Sequence, residues 1–239
     1  MAVTRPDWSR RATDAEQMDD AALPAARLAA VLGDLAQVNV VTRAAPPTLR
    51  WLAAATRPGD RFTLLDVGAG HGDMLRRIAR WARRTGRSAA LVGVDQNPHA
   101  AAIARQATDP VLGITWHTGE AAAVVAEAAE APDFIISSLV AHHMADGELV
   151  AFLRWMEHTA RRGWFVNDLH RHPVAWHGFR LLAAAMRWDP IVQHDGALSV
   201  RRAFVRGDWE RLLLAADVPR AAVTVRWRLP FRLCVGRRR

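Results

Sequence analysis

Residues 62–74 read Phe-Thr-Leu-Leu-Asp-Val-Gly-Ala-Gly-His-Gly-Asp-Met. The apolar run 62–67 predicts a buried β-strand, and residues 73–84 predict a helix directly after three alternating glycines. Glycine at positions 68, 70 and 72 allows positive φ angles and a close approach of the main chain to a ligand. The free N–H groups of the helix start favour a polar or anionic group. The stretch therefore predicts a strand, a turn that binds a small molecule, and a helix.

The spacing of these glycines excludes two common nucleotide sites. A dinucleotide fingerprint requires its third glycine at position 73, which is Asp73. A phosphate-binding P-loop requires a lysine, and the chain contains none. A second apolar run, 91–94, ends at Asp95. In a doubly wound sheet this carboxylate lies beside the glycine turn, where it can accept both hydroxyls of a ribose.

Four motifs in this order resemble those of class I S-adenosylmethionine-dependent methyltransferases. They are the glycine turn at 65–72, Val-Gly-Val-Asp at 92–95, Gly-Glu-Ala at 119–121 and Pro-Asp-Phe-Ile-Ile-Ser-Ser at 132–138. The resemblance implies an α/β, Rossmann-like fold with a seven-stranded, mostly parallel sheet, an antiparallel last strand and a helical cap. It also implies S-adenosyl-L-methionine as cofactor, held by Asp66, Gly68, Gly70, His71, Gly72, Asp95, Gln96, Glu120, Ala121 and Ser138. Residues 16–20 and 37–39 are similar to a small bacterial subgroup associated with quinone and polyketide pathways.

Length and composition fit this fold class. A chain of 239 residues suits one domain with a sizeable core. Apolar stretches of about 18 uncharged residues are absent, which argues against a membrane span. Residues 1–8 have no apolar region behind their arginine, and Cys234 is the only cysteine, so we expect a cytoplasmic protein without disulfides.

The charge of +8 and the pI near 11.4 raise nucleic acid as a partner. All 32 basic residues are arginines, however, and they are spread through the chain. Methyltransferases that act on the amino groups of adenine or cytosine usually have an Asn/Asp-Pro-Pro-aromatic motif at the end of the fourth strand. This chain has Ser-Ser-Leu-Val at 137–140. We therefore expect a small-molecule acceptor and no nucleic acid.

The alternation of short apolar runs with helical segments predicts a parallel sheet with right-handed crossovers. We expect a single domain that comprises an N-terminal helical cap (1–60), a cofactor-binding core (61–170), a substrate-side insertion (171–207), and a closing helix and hairpin (208–239). Within the insertion, residues 193–196 read Gln-His-Asp-Gly and predict a turn. Asp208 is expected to cap the closing helix.

Two segments at the carboxyl ends of strands are expected to carry the chemistry. Methyl transfer to a hydroxyl requires alignment, exclusion of water and removal of a proton. Histidine suits the last task because its pKa lies near neutrality. His143 is the first candidate base and His142 the second, since this pair resembles the segment after the fourth strand of quinone-type methyltransferases. Asp168 and His170, after the fifth strand, are candidates for binding or deprotonating the substrate.

The histidines also permit a metal site. A magnesium site is not expected because no carboxylate cluster accompanies them, and the prediction is a site without metal. The expected function is O-methylation of a small aromatic or polyketide-like metabolite with histidine as general base. Two alternatives remain open: C-methylation of a phenol or quinone ring, and a non-catalytic module that only binds the cofactor.

Overall fold

The computed structural model describes residues 7–20 and 22–239. The described residues leave out 1–6 and 21, which belong to the expected cap. They also leave out most of the segment 1–8, on which the argument against secretion is based. Seven strands form one sheet in the order β3-β2-β1-β4-β5-β7-β6. They are β1 (Arg61–Val67), β2 (Ser88–Asp95), β3 (Ile114–Thr118), β4 (Phe134–Ser138), β5 (Gly163–Leu169), β6 (Val223–Arg228) and β7 (Arg232–Arg238).

The strand directions agree with the fold implied by the motifs. Strands β1 to β5 pair in parallel, whereas β7 pairs antiparallel with both β5 and β6. Six strands thus run one way, and β7 runs against them. The predicted class I methyltransferase fold is confirmed.

Nine helices are present in the described part of the chain. They are α1 (Ala25–Val41), α2 (Ala45–Ala55), α3 (Asp73–Arg84), α4 (Ala100–Gln106), α5 (Ala121–Glu127), α6 (Asp146–Thr159), α7 (Pro173–Met186), α8 (Pro190–Arg202) and α9 (Arg206–Ala215). None of them combines the length and apolar character that crossing a bilayer requires.

The core lies on both faces of the sheet. Strand β4 shows why: Phe134 and Ile136 pack with α2, α3 and α4, whereas Ile135 packs on the opposite face with α6 and α9. Alternate side chains of a strand point to opposite faces, so an uninterrupted apolar run marks a strand covered on both sides. A third cluster joins α1 to α7 and α8 through Val31 and Trp188, among others.

The turn predicted at 193–196 is wrong, because these residues lie inside α8. Asp189 caps this helix by accepting a hydrogen bond from the N–H of Ile191, and Pro190 occupies its first turn. Gly196 serves packing: a Cβ there would lie 2.2 Å from the ring of Phe179 on α7. Asp195 faces the N-terminal segment, where it accepts the N–H groups of residues 17 and 18.

The closing helix also differs from the prediction at its start. It begins at Arg206, so Asp208 is its third residue and not its cap. The Asp208 carboxylate still accepts the N–H of Val205, and it pairs with the buried Arg171 at 2.9 Å. Asp208 therefore accepts a backbone N–H at the start of the helix, as a cap does, but it does so from a position inside the first turn.

Candidate active site

The glycine turn joins β1 to α3 at the carboxyl edge of the sheet. Gly68, Gly70 and Gly72 have φ angles of 73°, 50° and 78°, a region that L side chains adopt at a cost. A Cβ on Gly68 would lie 2.3 Å from Val140, and one on Gly72 would lie 2.3 Å from Trp116. At Gly70 the nearest atom would be 3.9 Å away, so this part of the turn is open.

Asp95 lies against this turn, as the sequence predicts. Its Oδ2 accepts the N–H of Gly70 at 2.8 Å, and its Oδ1 accepts the N–H of Asn97 at 2.9 Å. On the other side, the amide of Gln96 donates to Glu120 at 2.8 Å. The ends of β1, β2 and β3 therefore bring the first three sequence motifs together, with Ala121 at the start of α5.

Two polar atoms at this edge have no hydrogen-bond partner within the described chain. Oδ1 of Asp66 is buried on β1, and Oγ of Ser138 is buried at the end of β4. Burial raises the pKa of Asp66 well above its usual value, and the charges of Asp73 and Asp95 add to this effect. Asp66 is thus favoured in its neutral form, which can donate as well as accept.

His71 in the glycine turn bonds to Arg76 through both its side chain and its carbonyl. Its Nδ1 accepts a hydrogen bond from the guanidinium of Arg76 at 2.8 Å, and its carbonyl accepts another at 2.6 Å. Burial and the charge of Arg76 lower the pKa of His71, despite the opposing effect of Asp73. His71 is therefore held neutral in the glycine turn, two residues before α3 begins.

The loop after β4 carries His142, which is buried in a network of carboxylates. Its Nδ1 lies 2.7 Å from Asp168 Oδ1, and its N–H donates to Asp168 Oδ2 at 3.2 Å. Because a carboxylate only accepts, this Nδ1 carries the proton. Its Nε2 faces Glu16 Oε1 at 3.7 Å. Burial raises the pKa of Asp168, but His142 and two backbone N–H groups outweigh it, and the net shift is downward.

His143 lies beside His142, with 4.4 Å between the ring centres. Its Nδ1 is 2.9 Å from Asp19, and its Nε2 is 3.6 Å from Glu16 Oε2. Burial lowers the pKa of His143, but the hydrogen bond to Asp19 and the charges of Glu16 and Asp19 outweigh it and raise the pKa overall. The His143 side chain is 23% exposed, compared with 3% for His142.

Two arginines hold the main chain of this loop. Arg202 on α8 donates to the carbonyls of His142 and His143 at 3.0 and 2.8 Å. Arg11 also donates to the His142 carbonyl, and it forms a 2.7 Å ion pair with Asp146. These bonds hold the backbone segment that carries both histidine rings. The N-terminal segment and α8 are both part of the site.

His170 lies outside this network. Its N–H donates to the carbonyl of Phe231, while its buried Nδ1 has no hydrogen-bond partner among the described residues. Burial lowers the pKa of His170, and the neighbouring His172 and Arg171 contribute. The structure thus brings together His142, His143 and Asp168, and it leaves His170 as a separate imidazole at the end of β5.

Glu16 is the site residue that sequence reasoning missed. It lies in the segment 1–60, which was expected to form a cap, yet its side chain is 1% exposed and accepts a hydrogen bond from Ser199 at 2.9 Å. An acidic residue in a polar segment carries no signal of burial. A weak signal was available in the resemblance of residues 16–20 to the bacterial subgroup.

Comparisons with known proteins agree with the geometry. Residues 64–163 match the family model described as "Methyltransferase domain". No curated protein gives a significant match. Solved structures that share the fold include magnesium protoporphyrin IX methyltransferase from Synechocystis PCC 6803 with bound SAM. It is 16% identical to this chain with a TM-score of 0.53, and the match covers 85% of this chain and 83% of that one.

Two further structures are similar at the level of the fold. The plantazolicin methyltransferase BpumL, in complex with a monoazolic desmethylPZN analog and SAH, is 13% identical with a TM-score of 0.56, covering 87% of this chain and 85% of that one. A putative O-methyltransferase from Nostoc punctiforme PCC 73102 is 14% identical with a TM-score of 0.55, covering 87% and 60%, respectively.

Proposed function

We propose that this chain, whose residues 64–163 match the methyltransferase-domain model, is a class I S-adenosylmethionine-dependent methyltransferase that methylates a hydroxyl group of a small aromatic or polyketide-like molecule. The observation that carries this proposal is the histidine and carboxylate network directly after β4, at the sheet edge that bears the glycine turn. Ligands of open α/β sheets bind at this edge. Two of the structural neighbours are named as methyltransferases of magnesium protoporphyrin IX and of plantazolicin, and a third as a putative O-methyltransferase, in line with such an acceptor.

The residues around the glycine turn fit the cofactor. Gly70 lies in an open part of the turn, and Asp95 retains acceptor capacity for ribose hydroxyls beyond the two backbone bonds that it makes. Gln96 and Glu120 provide polar atoms on the adenine side. The unpartnered atoms of Asp66 and Ser138 can each take a hydrogen bond from a ligand.

When bound, the cofactor supplies a methyl group on a sulfonium. The chain must then orient the acceptor, exclude water and take up the hydroxyl proton. The proton is proposed to pass to the network around His142, with His143 as the base because it is the more exposed of the two rings. Asp168 is proposed as a positioning residue, since its two oxygens hold the ring and the N–H of His142.

The first experiment is calorimetric titration of the full chain with S-adenosylmethionine and with S-adenosylhomocysteine. Micromolar binding of either one supports the cofactor side and justifies a screen of phenols, quinones and polyketides for product formation. NMR of the product then identifies whether oxygen or carbon receives the methyl group. Absence of binding to both ligands would overturn the proposal and favour a non-catalytic role.

The role of the network is tested with His143→Ala once an acceptor is found. Loss of a general base should lower kcat by about 10²-fold or more, with an unchanged affinity for the cofactor. The matched control is His158→Ala, because His158 is an exposed histidine on α6 whose Nδ1 contacts only the Arg154 carbonyl of its own helix. A wild-type rate for His143→Ala would remove this residue from the proposed mechanism.

A further inference from the structure

Glu16, His142 and His143 form a group of potential metal ligands where the N-terminal segment crosses the loop after β4. One ligand atom of each lies within 4.8 Å of the others. The Glu16 oxygens are 3.7 and 3.6 Å from Nε2 of His142 and His143, which is too long for hydrogen bonds. Two ligands of a tetrahedral ion at about 2.1 Å are separated by about 3.4 Å. The distances from Glu16 to the two imidazoles are therefore close to the separation between two ligands of one ion.

The tautomers of the two rings also favour a bound cation. Both Nδ1 atoms face carboxylates, Asp168 for His142 and Asp19 for His143, at 2.7 and 2.9 Å. With the proton on Nδ1, a neutral imidazole presents a lone pair at Nε2. Both lone pairs then face the oxygens of Glu16, which is an unfavourable contact unless a positive species lies between them.

The local charge is also unbalanced. Three carboxylates, those of Glu16, Asp19 and Asp168, contact the two rings. The cation within 4 Å of Glu16 is the guanidinium of Arg202, at 3.8 Å. With neutral histidines, two negative charges are left over. The side chains of Glu16 and Asp168 are at most 1% exposed, and uncompensated charge is costly in such a place.

We propose that Glu16, His142 and His143 bind one divalent transition-metal ion of the zinc type. Two imidazoles with one carboxylate are a ligand set used for zinc and iron, whereas magnesium and calcium prefer oxygen ligands. Asp168 and Asp19 complete the arrangement, because ligand histidines commonly donate their other N–H to a carboxylate. Three protein ligands leave at least one coordination position open for a substrate oxygen.

This inference deepens the proposed function and rests on it for one consequence only. A hydroxyl oxygen at the open position loses its proton more easily because the ion lowers its pKa. The O–H bond breaks, the proton passes to solvent water, and the oxygen retains the electron pair. This pair forms a bond to the methyl carbon of the cofactor while the carbon–sulfur bond breaks, and its electrons stay on the sulfur of the departing S-adenosylhomocysteine. His143 is then a ligand of the ion, and its role as base belongs to the metal-free protein.

Metal binding is tested without reference to activity. Untagged full-length protein is dialysed against a chelator and titrated with Co²⁺, monitored by visible absorption, and with Zn²⁺, monitored by calorimetry. One ion per chain is expected, with the intense visible bands of low-coordinate Co²⁺. Absence of saturable binding of either ion would overturn the inference.

Variants locate the site. His143→Ala and Glu16→Gln should each weaken Zn²⁺ binding by about 100-fold or more, and Asp19→Asn by about 10- to 100-fold as an outer carboxylate. His158→Ala is the matched control and should bind as the wild type does. Circular dichroism verifies that each variant is folded. If the folded His143→Ala and Glu16→Gln variants keep wild-type affinity, the ion binds elsewhere and the inference is wrong.

Methyl transfer by chelated and reloaded protein separates this inference from the proposed function. Activity that is lost on chelation and restored by Zn²⁺ supports the metal site and the proposed methyl transfer, and it argues against His143 as the base. Equal activity of the two forms would overturn the catalytic consequence and leave the proposed function intact. If no acceptor is methylated by either form, the proposed function fails, and binding lost in His143→Ala still supports the metal site.

Discussion

Asp95→Ala is the substitution that tests the cofactor site most directly. The Asp95 carboxylate bonds to the N–H groups of Gly70 and Asn97 at 2.8 and 2.9 Å, and it is half-buried. Hydrogen bonds to charged groups contribute about 1.5–3 kcal/mol each when both partners are shielded. Here the two amides become accessible to water after truncation, so we expect a total loss of about 1–3 kcal/mol in the free energy of unfolding.

The same truncation removes the acceptors proposed for the ribose hydroxyls. Losing these contacts should cost about 1–3 kcal/mol of cofactor binding, which corresponds to a Kd about 5- to 150-fold higher. Calorimetric titration with S-adenosylmethionine measures the change in Kd, and urea unfolding measures the change in stability.

The matched control is Asp109→Ala. Asp109 Oδ1 accepts the N–H of Val111, two residues on, as Asp95 Oδ1 accepts that of Asn97. It does so in the turn before β3, outside the proposed cofactor site. Asp109→Ala should lower stability without changing the Kd. A wild-type Kd for Asp95→Ala, or equal changes of Kd in the two variants, would refute the ribose assignment.

Three further substitutions or reagents test the packing and the ionisation of buried groups. Gly68→Ala should lower the free energy of unfolding, measured in urea, by about 2–5 kcal/mol, because its Cβ meets Val140 at 2.3 Å. The control Gly86→Ala has a similar φ but open space around its Cβ, and it should lower the free energy of unfolding by about 1–2 kcal/mol. Equal losses in the two variants would contradict the clash with Val140. The raised folded-state pKa of Asp66 means that the contribution of this one group to stability is fully present below the usual value of 3.8 and is lost as pH rises toward the folded-state pKa. The stability of Asp66→Asn relative to wild type should therefore increase with pH over this range, and a pH-independent difference would be inconsistent with a neutral Asp66. Burial raises the pKa of the Cys234 thiol to about 12, so a thiol-specific reagent should label Cys234 in urea and not in the native protein, where rapid labelling would show that the site is accessible.

The sequence by itself predicted the architecture of the sheet and the contacts among the residues of the proposed cofactor site. Strands covered on both faces appear as uninterrupted apolar runs, and the residues that follow them meet at one edge because parallel strands end there together. The contact of Asp95 with the glycine turn follows from these two facts. The bounds of α3 and β4, Asp73–Arg84 and Phe134–Ser138, agree with the prediction residue by residue.

The conformation of residues 193–196 was decided by tertiary contacts. Gln-His-Asp-Gly has the composition of a turn, but the cap at Asp189 starts a helix upstream of it. The ring of Phe179 requires a glycine at 196, and the N–H groups of residues 17 and 18 require an acceptor at 195. Packing against α7 and the N-terminal segment therefore overrides local propensity at this position.

The histidine network was decided by tertiary structure as well. The sequence identified His142, His143 and Asp168 as separate candidate catalytic residues, which follow the ends of two different strands. The pairing of His142 with Asp168 depends on β4 and β5 being neighbours in the sheet. Glu16 reaches both rings from more than 120 residues upstream, and local sequence patterns carry no information about contacts over such a separation. The chemistry of the network therefore follows from the folded arrangement of these residues.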